Sequence, residues 1–306
     1  MQTRAFTYGE KPKQIVYRRY GGITVTSMNR EELMKSKKRI VVKIGSSTLT
    51  HPETGDMDLV TMERLVRILT DISNSGKDVV LVSSGAIAVG RKTMKIAERP
   101  KDKSVKQACA AIGQTRLMMV YQRLFAEYNK IPAQVLITKL TMINDLNRRN
   151  ARATFSELLS MGVIPIVNEN DTVVTDEIEF GDNDTLSAIV AALIHADLLV
   201  VLSDQDGFFT DDPRKNPDAK LVEEIDFITD ELEAMAKGAG TDVGTGGMAT
   251  KVAAARIAND AGADMVICNG NDMKNLRDVL EGKNVGTLFH AHKNDNFHLI
   301  DYLTRT

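Results

Sequence analysis

Between residues 163 and 185 the chain passes from a buried apolar run to two polar clusters, and this connection limits the folds open to it. Residues 163–167 are short, apolar and rich in β-branched side chains, the pattern of a strand covered on both faces. The run empties into Asn168, Glu169, Asn170 and Asp171. A second cluster, Gly181, Asp182, Asn183 and Asp184, then opens an apolar helix pattern near Thr185. Strand, polar connection and helix make up the repeating unit of an open α/β sheet, where ligands gather beyond the carboxyl ends of the strands. Asn and Asp also build turns and helix N-caps, so either cluster alone reads as structural. Two within one connection point to a site for an amino group, a metal–phosphate complex, or both. Between them, residues 172–180 alternate in polarity and predict a small hairpin.

The same unit recurs along the chain. Ile40, Val41, Val42 and Ile44 predict a buried parallel strand, broken by Lys43 and followed by Gly45, Ser46, Ser47 and Thr48. Small residues there let backbone N–H groups approach a phosphate, with Lys43 as a point charge. A lysine stretching from a strand end to water is an equal reading. Residues 59–72 have helical spacing, and the strand at 78–82 ends in Ser83, Ser84, Gly85, Ala86 and Ile87. Gly85 to Gly90 with Arg91, Lys92 and Thr93 imitates a phosphate loop. The inserted Arg91 breaks its Gly-Lys-Thr, and Ala86, Ile87 and Val89 read as helix.

Residues 105–128 form a long apolar helix pattern whose methionines suit a core or a subunit contact. A strand at 135–138 follows, then a helix ending at Leu159, on which Arg148 and Arg149 read as solvated charges. The strand at 197–202 leaves through Ser203, Asp204, Gln205, Asp206 and Gly207, an exit that frames either a nucleotide's ribose or a plain loop. Gly244 to Lys251 then feeds an Ala-rich helix, an arrangement suited to phosphate at a helix N-terminus. It also mimics a dinucleotide fingerprint, which requires a strand before it; residues 231–240 read instead as helix and loop. A strand at 265–268 and a helix at 274–280 complete a mainly parallel α/β pattern.

Composition narrows the function. A net charge of -2 gives no electrostatic case for nucleic acid or an anionic membrane. Cys109 and Cys268 are too few for a disulfide framework and fit a reducing compartment. No apolar run nears the roughly 20 residues of a membrane helix, so the reading is a cytoplasmic protein. Residues 1–38 are basic and read as a flexible extension; residues 294–306 read as a short tail. The five histidines are scattered, and no cysteine spacing suits zinc. What remains fits phosphoryl transfer, which needs charge neutralisation and positioning more than a covalent nucleophile.

Five segments in order, Val41-Val-Lys-Ile-Gly-Ser-Ser, Ser83-Ser-Gly-Ala-Ile, Val167-Asn-Glu-Asn-Asp, Phe180-Gly-Asp-Asn-Asp and Gly244-Thr-Gly-Gly-Met-Ala-Thr-Lys, resemble the amino acid kinase family over residues 39–293. The resemblance implies a three-layer αβα sandwich around a mainly parallel open sheet, with an acceptor lobe over 39–195 and a nucleotide lobe over 196–293. It implies ATP with Mg2+ as cofactors and phosphorylation of the γ-carboxylate of L-glutamate, the first step of proline biosynthesis. Lys43 and Lys251 would neutralise the moving γ-phosphoryl group, and Asp182 and Asp184 would orient those lysines and the magnesium, with no residue assigned as a direct metal ligand. Ser84, Asp171 and Asn183 match positions that hold glutamate, with the Gly85 N–H nearby. Lys43, Ser203, Asp204, Thr245, Gly246, Gly247, Met248, Ala249, Thr250 and Lys251 match the ATP site.

By the same resemblance, a homo-oligomer and feedback inhibition by proline are family expectations. The alternatives are a same-fold kinase for acetylglutamate or aspartate and a non-catalytic amino-acid sensor. Acidic residues at 168–171 favour an acceptor with a free ammonium, and the intact lysines speak against a sensor. The C-terminal domain resembling RNA-modification modules that many bacterial relatives carry is not expected here. Glu179 stands where many relatives have lysine, so no role is carried onto it.

Overall fold

The computed structural model describes residues 17–20, 23–26, 29–98, 100–174, 180–238 and 247–305. In chain order, β1 (Tyr17–Tyr20) and β2 (Ile23–Thr26) precede α1 (Arg30–Ser36), β3 (Arg39–Ile44), α2 (Ser46–Leu49), α3 (Leu59–Asn74) and β4 (Asp78–Ser83). Next come α4 (Ala86–Thr93), α5 (Lys103–Ala126), β5 (Pro132–Ile137), α6 (Lys139–Ile143), α7 (Asp145–Ser160), β6 (Ile164–Glu169) and α8 (Asn183–Ile194). The second half holds β7 (Leu198–Ser203), β8 (Glu224–Ile225), α9 (Asp230–Gly238), α10 (Met248–Asp260), β9 (Asp264–Asn269), α11 (Lys274–Leu280), β10 (Thr287–Phe289) and α12 (Leu299–Arg305). β1 and β2 pair as an antiparallel ribbon. The other strands form an eight-stranded sheet in the order β5-β6-β4-β3-β7-β9-β10-β8.

From β5 to β9 every pairing is parallel. The chain lays β4 on one side of β3 and later brings β7 to the other, so the strand order reverses at β3 and opens a crevice at its carboxyl end.

Alternation along each strand sorts side chains into two cores. Val41, Val80, Val82, Leu199 and Val201 pack with Leu186 and Ile189 of α8 and Val252 and Ala255 of α10. Ile40, Val42, Ile44, Leu81 and Val200 pack with α3, with Leu117 and Tyr121 of α5, and with Leu276 of α11. Helices thus cover both faces, and the expected three-layer αβα sandwich is present. The same alternation gives Lys43, two residues beyond Val41, to the α8 face.

Two glycines set the spacing of the second face. A Cβ on Gly90 would lie 1.8 Å from the Cys109 carbonyl oxygen, and one on Gly113 would lie 1.7 Å from that of Ala86. These glycines serve backbone contact between α4 and α5, and α4 is the helix that replaces the imitated phosphate loop.

One expectation about the chain's periphery is corrected. The flexible extension does not run to residue 38: the Asn29 side chain caps α1 by accepting from Glu32 N at 2.7 Å, and Met34 is fully buried. Arg30 donates to Asn284 Oδ1 at 2.8 Å and the Val285 carbonyl at 2.6 Å, while Lys37 pairs with buried Asp264. The partners of Arg30 lie 254 and 255 residues away, and Asp264 is similarly distant from Lys37, out of reach of a local reading. The short tail ends in α12, whose Leu303 enters the core beside Phe297 and Tyr302. The last strand, β10, runs antiparallel to β9. The predicted hairpin at 172–180 falls mostly on 175–179, outside the described residues, as does Glu179.

Candidate active site

Asp184, in the first turn of α8, is 1% exposed and holds two lysines. Lys43 Nζ, from β3, lies 2.6 Å from Oδ1, and Lys251 Nζ, from α10, lies 3.2 Å from Oδ2. Burial alone would raise the Asp184 carboxyl. The ammonium groups of Lys43 and Lys251 outweigh it and hold the carboxyl below the usual aspartate range. The result is two positive charges fixed in place beyond the central strand ends, one from each half of the chain. Thr250 Oγ1 donates to the Gly247 carbonyl at 2.8 Å and reaches Asp184 Oδ2 at 3.2 Å, tying the start of α10 to the same carboxylate.

Asp182 has a different part. It is the N-cap of α8, with Oδ1 accepting from Thr185 N at 2.7 Å and Oδ2 from Thr185 Oγ1 at 2.9 Å. Burial pushes its carboxyl up, against those hydrogen bonds. The structure therefore separates the two expected acids: Asp184 orients both lysines, and Asp182 orients the helix that carries Asp184.

Beside the lysines lies a chain of amides. Asn183 Nδ2 donates to Ser84 Oγ at 2.8 Å and to Asn168 Oδ1 at 3.0 Å, and Asn168 Nδ2 donates to Gln114 Oε1 at 3.1 Å. Ser84 sits where β4 ends, and its N–H extends the ladder by donating to the Ile44 carbonyl at 3.1 Å. Gly85 follows with φ 106°, the left-handed turn that starts α4 and that side chains disfavour. Asp171 is half-buried in the turn after β6. Glu169 accepts from Phe180 N at 2.9 Å, so at least one of the acids read as an ammonium partner also fastens the returning chain.

On the other side, Ser203 Oγ donates to exposed Asp204 at 3.1 Å and accepts from Gln205 N at 3.3 Å. Gly247 precedes α10, Met248 is buried and Ala249 is half-buried; Thr245 and Gly246 lie outside the described residues. Among the described residues no group of three or more His, Cys, Asp or Glu side chains is placed to hold a metal ion. Arg149 pairs with Asp145 on its own helix, as a solvated charge does, whereas Arg148 is mostly buried and, besides pairing with Asp145, donates to the Met142 carbonyl at 2.9 Å. Both cysteines are buried and unpaired, and burial pushes the Cys268 thiol up to about 12.

Gln114 is the member of the amide chain that the sequence reading missed. Its signal was a polar residue on the buried side of an apolar helix, next to Gly113 and three before Leu117.

A parallel sheet that presents two buried lysines on one carboxylate, at the point where strand order reverses, defines an α/β phosphotransferase. The chain belongs to the amino acid kinase family, whose match covers residues 38–269. It is 54% identical to the glutamate 5-kinase of Carboxydothermus hydrogenoformans over 262 residues, covering 86% of this chain and 70% of that one. It is 52% identical to the glutamate 5-kinase of Clostridium tetani over 265 residues, covering 87% and 99%. The fold matches that of an isopentenyl phosphate kinase from T. acidophilum, with TM-score 0.58, 19% identity and coverage of 83% of this chain and 100% of that one. A UMP kinase from Bacillus anthracis matches with TM-score 0.57, 18% identity and coverage of 85% and 97%.

Proposed function

We propose that the protein transfers the γ-phosphoryl group of ATP to the γ-carboxylate of L-glutamate, giving glutamyl 5-phosphate and ADP, the step that opens proline biosynthesis. One observation carries the reading: Asp184 holds Lys43 and Lys251 together at the crevice. Two ammonium groups so placed neutralise the charge on a phosphoryl group in flight between two anions, the main demand of this reaction. The glutamate carboxylate is ionised near neutral pH and attacks in line without a general base, which accounts for a site built without histidine.

Asn183, Ser84 and Asp171 take the acceptor in this reading. An acceptor oxygen on Asn183 and the acid of Asp171 suit its ammonium, while the Ser84 hydroxyl and the Gly85 N–H suit a carboxylate. Ser203, Asp204 and the segment 245–251 take the nucleotide. Magnesium would supply further neutralisation of the phosphates. It fits here as an ion brought by ATP, bound chiefly to phosphate oxygens and water, since the Asp182 and Asp184 oxygens engage Thr185, Lys43 and Lys251.

The division into acceptor and nucleotide lobes, homo-oligomerisation, proline inhibition and a cytoplasmic location belong to the same proposal. The last is supported by two buried, unpaired cysteines. Among the described residues no helix is long and apolar enough to cross a membrane.

The test incubates the protein with Mg-ATP, glutamate and hydroxylamine and measures γ-glutamyl hydroxamate and ADP, with acetylglutamate and aspartate in parallel. Hydroxamate and ADP with glutamate alone are expected. ADP release with another acceptor only would overturn the substrate. Glutamate binding without turnover would overturn the reaction and leave a sensor.

A further inference from the structure

We propose that Gln114 is a positioning residue for the acceptor, acting through Asn168 to set the orientation of Asn183; this rests on the glutamate-kinase reading above. Gln114 projects from α5, is 9% exposed, and its side chain makes no other hydrogen bond among the described residues than the one it accepts from Asn168. That bond turns the Asn168 carbonyl towards Asn183. Asn183 then directs its amide hydrogens to Asn168 Oδ1 and Ser84 Oγ.

The consequences follow from the donor inventory. An amide NH2 has two hydrogens, so Asn183 meets the acceptor site with its Oδ1, a group that can only accept. Ser84 Oγ receives a hydrogen bond from Asn183, so its own hydrogen is left to donate. An acceptor oxygen beside a hydroxyl donor is matched to an ammonium beside a carboxylate, the two groups of a free amino acid. Reversing Asn183 would instead turn its NH2 towards the ammonium and repel it.

What keeps the chain in this sense is an acceptor at its buried end. Without one, Asn168 Nδ2 would be left without a partner in the interior. Asn168 and Asn183 could then turn over together, Asn183 Oδ1 accepting from Asn168 Nδ2 and from Ser84 Oγ, with no hydrogen bond lost. Gln114 thereby contributes to choosing an amino acid without touching it.

The test compares Gln114→Met, similar in size but without an acceptor oxygen, with Gln114→Glu, whose carboxylate keeps one in place. Steady-state hydroxamate formation gives KM for glutamate and for ATP, and thermal melting reports folding. Gln114→Met is expected to raise KM for glutamate about tenfold, the weight of one buried hydrogen bond left unmade, with KM for ATP within about twofold. Gln114→Glu is expected to stay within about threefold of wild type.

An unchanged KM for glutamate in a folded Gln114→Met variant overturns the inference, as does a Gln114→Glu variant as impaired as Gln114→Met. Should Gln114→Met not fold, Gln114→Glu decides: retention supports the inference and a tenfold loss overturns it. Wild-type protein runs alongside. Absence of hydroxamate there would overturn the glutamate reading instead, so the two failures are distinguishable.

Discussion

The strand ends on the two sides of β3 hold their polar side chains by different means. Around β4 and β6 the bonds cross between elements: Asn183 to Ser84 spans 99 residues, and Asn168 to Gln114 spans 54. Around β7 they are local, with Ser203 bonded to its neighbour Asp204 and to Gln205 two residues on. The bond from Asn269 to Asp206 does link two strand ends, but it is exposed. A group held from several elements has one orientation before any ligand arrives, whereas locally held groups are set by their own turn. Discrimination between small acceptors should therefore reside near β4 and β6. Asp184 stands between the two sides and serves both.

The largest effect is expected at that junction. Asp184→Asn keeps the shape but leaves Lys43 and Lys251 without their buried counter-charge. Breaking such a pair costs about 3–5 kcal/mol, and misplacing both cations should lower kcat about a thousandfold or more. Single-turnover kinetics and calorimetry check both. The pH dependence has a definite sign. The folded carboxyl titrates below the ordinary 3.8, so the stability it contributes is complete above that value and is lost as pH falls through the lower one. The difference in Tm between wild type and variant should stay constant from neutrality to about pH 5 and close only in stronger acid.

Next comes Asn183→Ala, which removes the oxygen proposed to accept from the ligand and opens the amide chain. KM for glutamate should rise about ten- to a hundredfold, with KM for ATP within about threefold. Equal effects on both constants would break the contrast between the two sides.

A smaller effect tests whether that contrast is carried by packing. Gly113 precedes Gln114, and a Cβ there would press on the Ala86 carbonyl of α4. Gly113→Ala should cost about 1–3 kcal/mol by forcing α4 from α5. Because α4 begins just after Ser84, KM for glutamate should rise about threefold while KM for ATP stays put. A loss of stability with both constants unchanged would show that the amide chain tolerates movement of its supports.

The legible part of this molecule was what alternation and strand ends dictate. Ile40, Val41, Val42 and Ile44 announced a central strand, and the helix pattern beginning near Thr185 announced α8. A lysine within β3 has only two faces to choose from, but position alone left Lys43 divided between a phosphate contact and a strand-end charge, and only the family resemblance gave it a role. Partners distant in sequence were not legible. Nothing local in residues 29–38 says that Arg30 meets Val285 or that Lys37 meets Asp264. Asp182 and Asp184 looked interchangeable, because a helix cap and a buried counter-ion draw on the same residue type. Only the turn of α8 sends one to Thr185 and the other to the lysines. Gln114 was hidden for a related reason. One polar residue in an apolar helix has meaning only when the element opposite is known, and that element is the end of β6.

The smallest effect is predicted at Ser203, and it bears on the contrast most directly. Its hydroxyl joins Asp204 to Gln205 within a single turn, and its backbone carbonyl accepts from Gly270 N at 2.7 Å whatever the side chain is. Ser203→Ala therefore removes two weak local bonds while the strand end stays in register with β9. A net change of about 0.5 kcal/mol is expected. That would appear as a rise in KM for ATP of about threefold or less, with KM for glutamate and Tm unchanged. A loss comparable to that of Asn183→Ala would mean that the β7 exit is as tightly specified as the β4 and β6 exits. Short local bonds would then suffice to hold a binding group in one orientation.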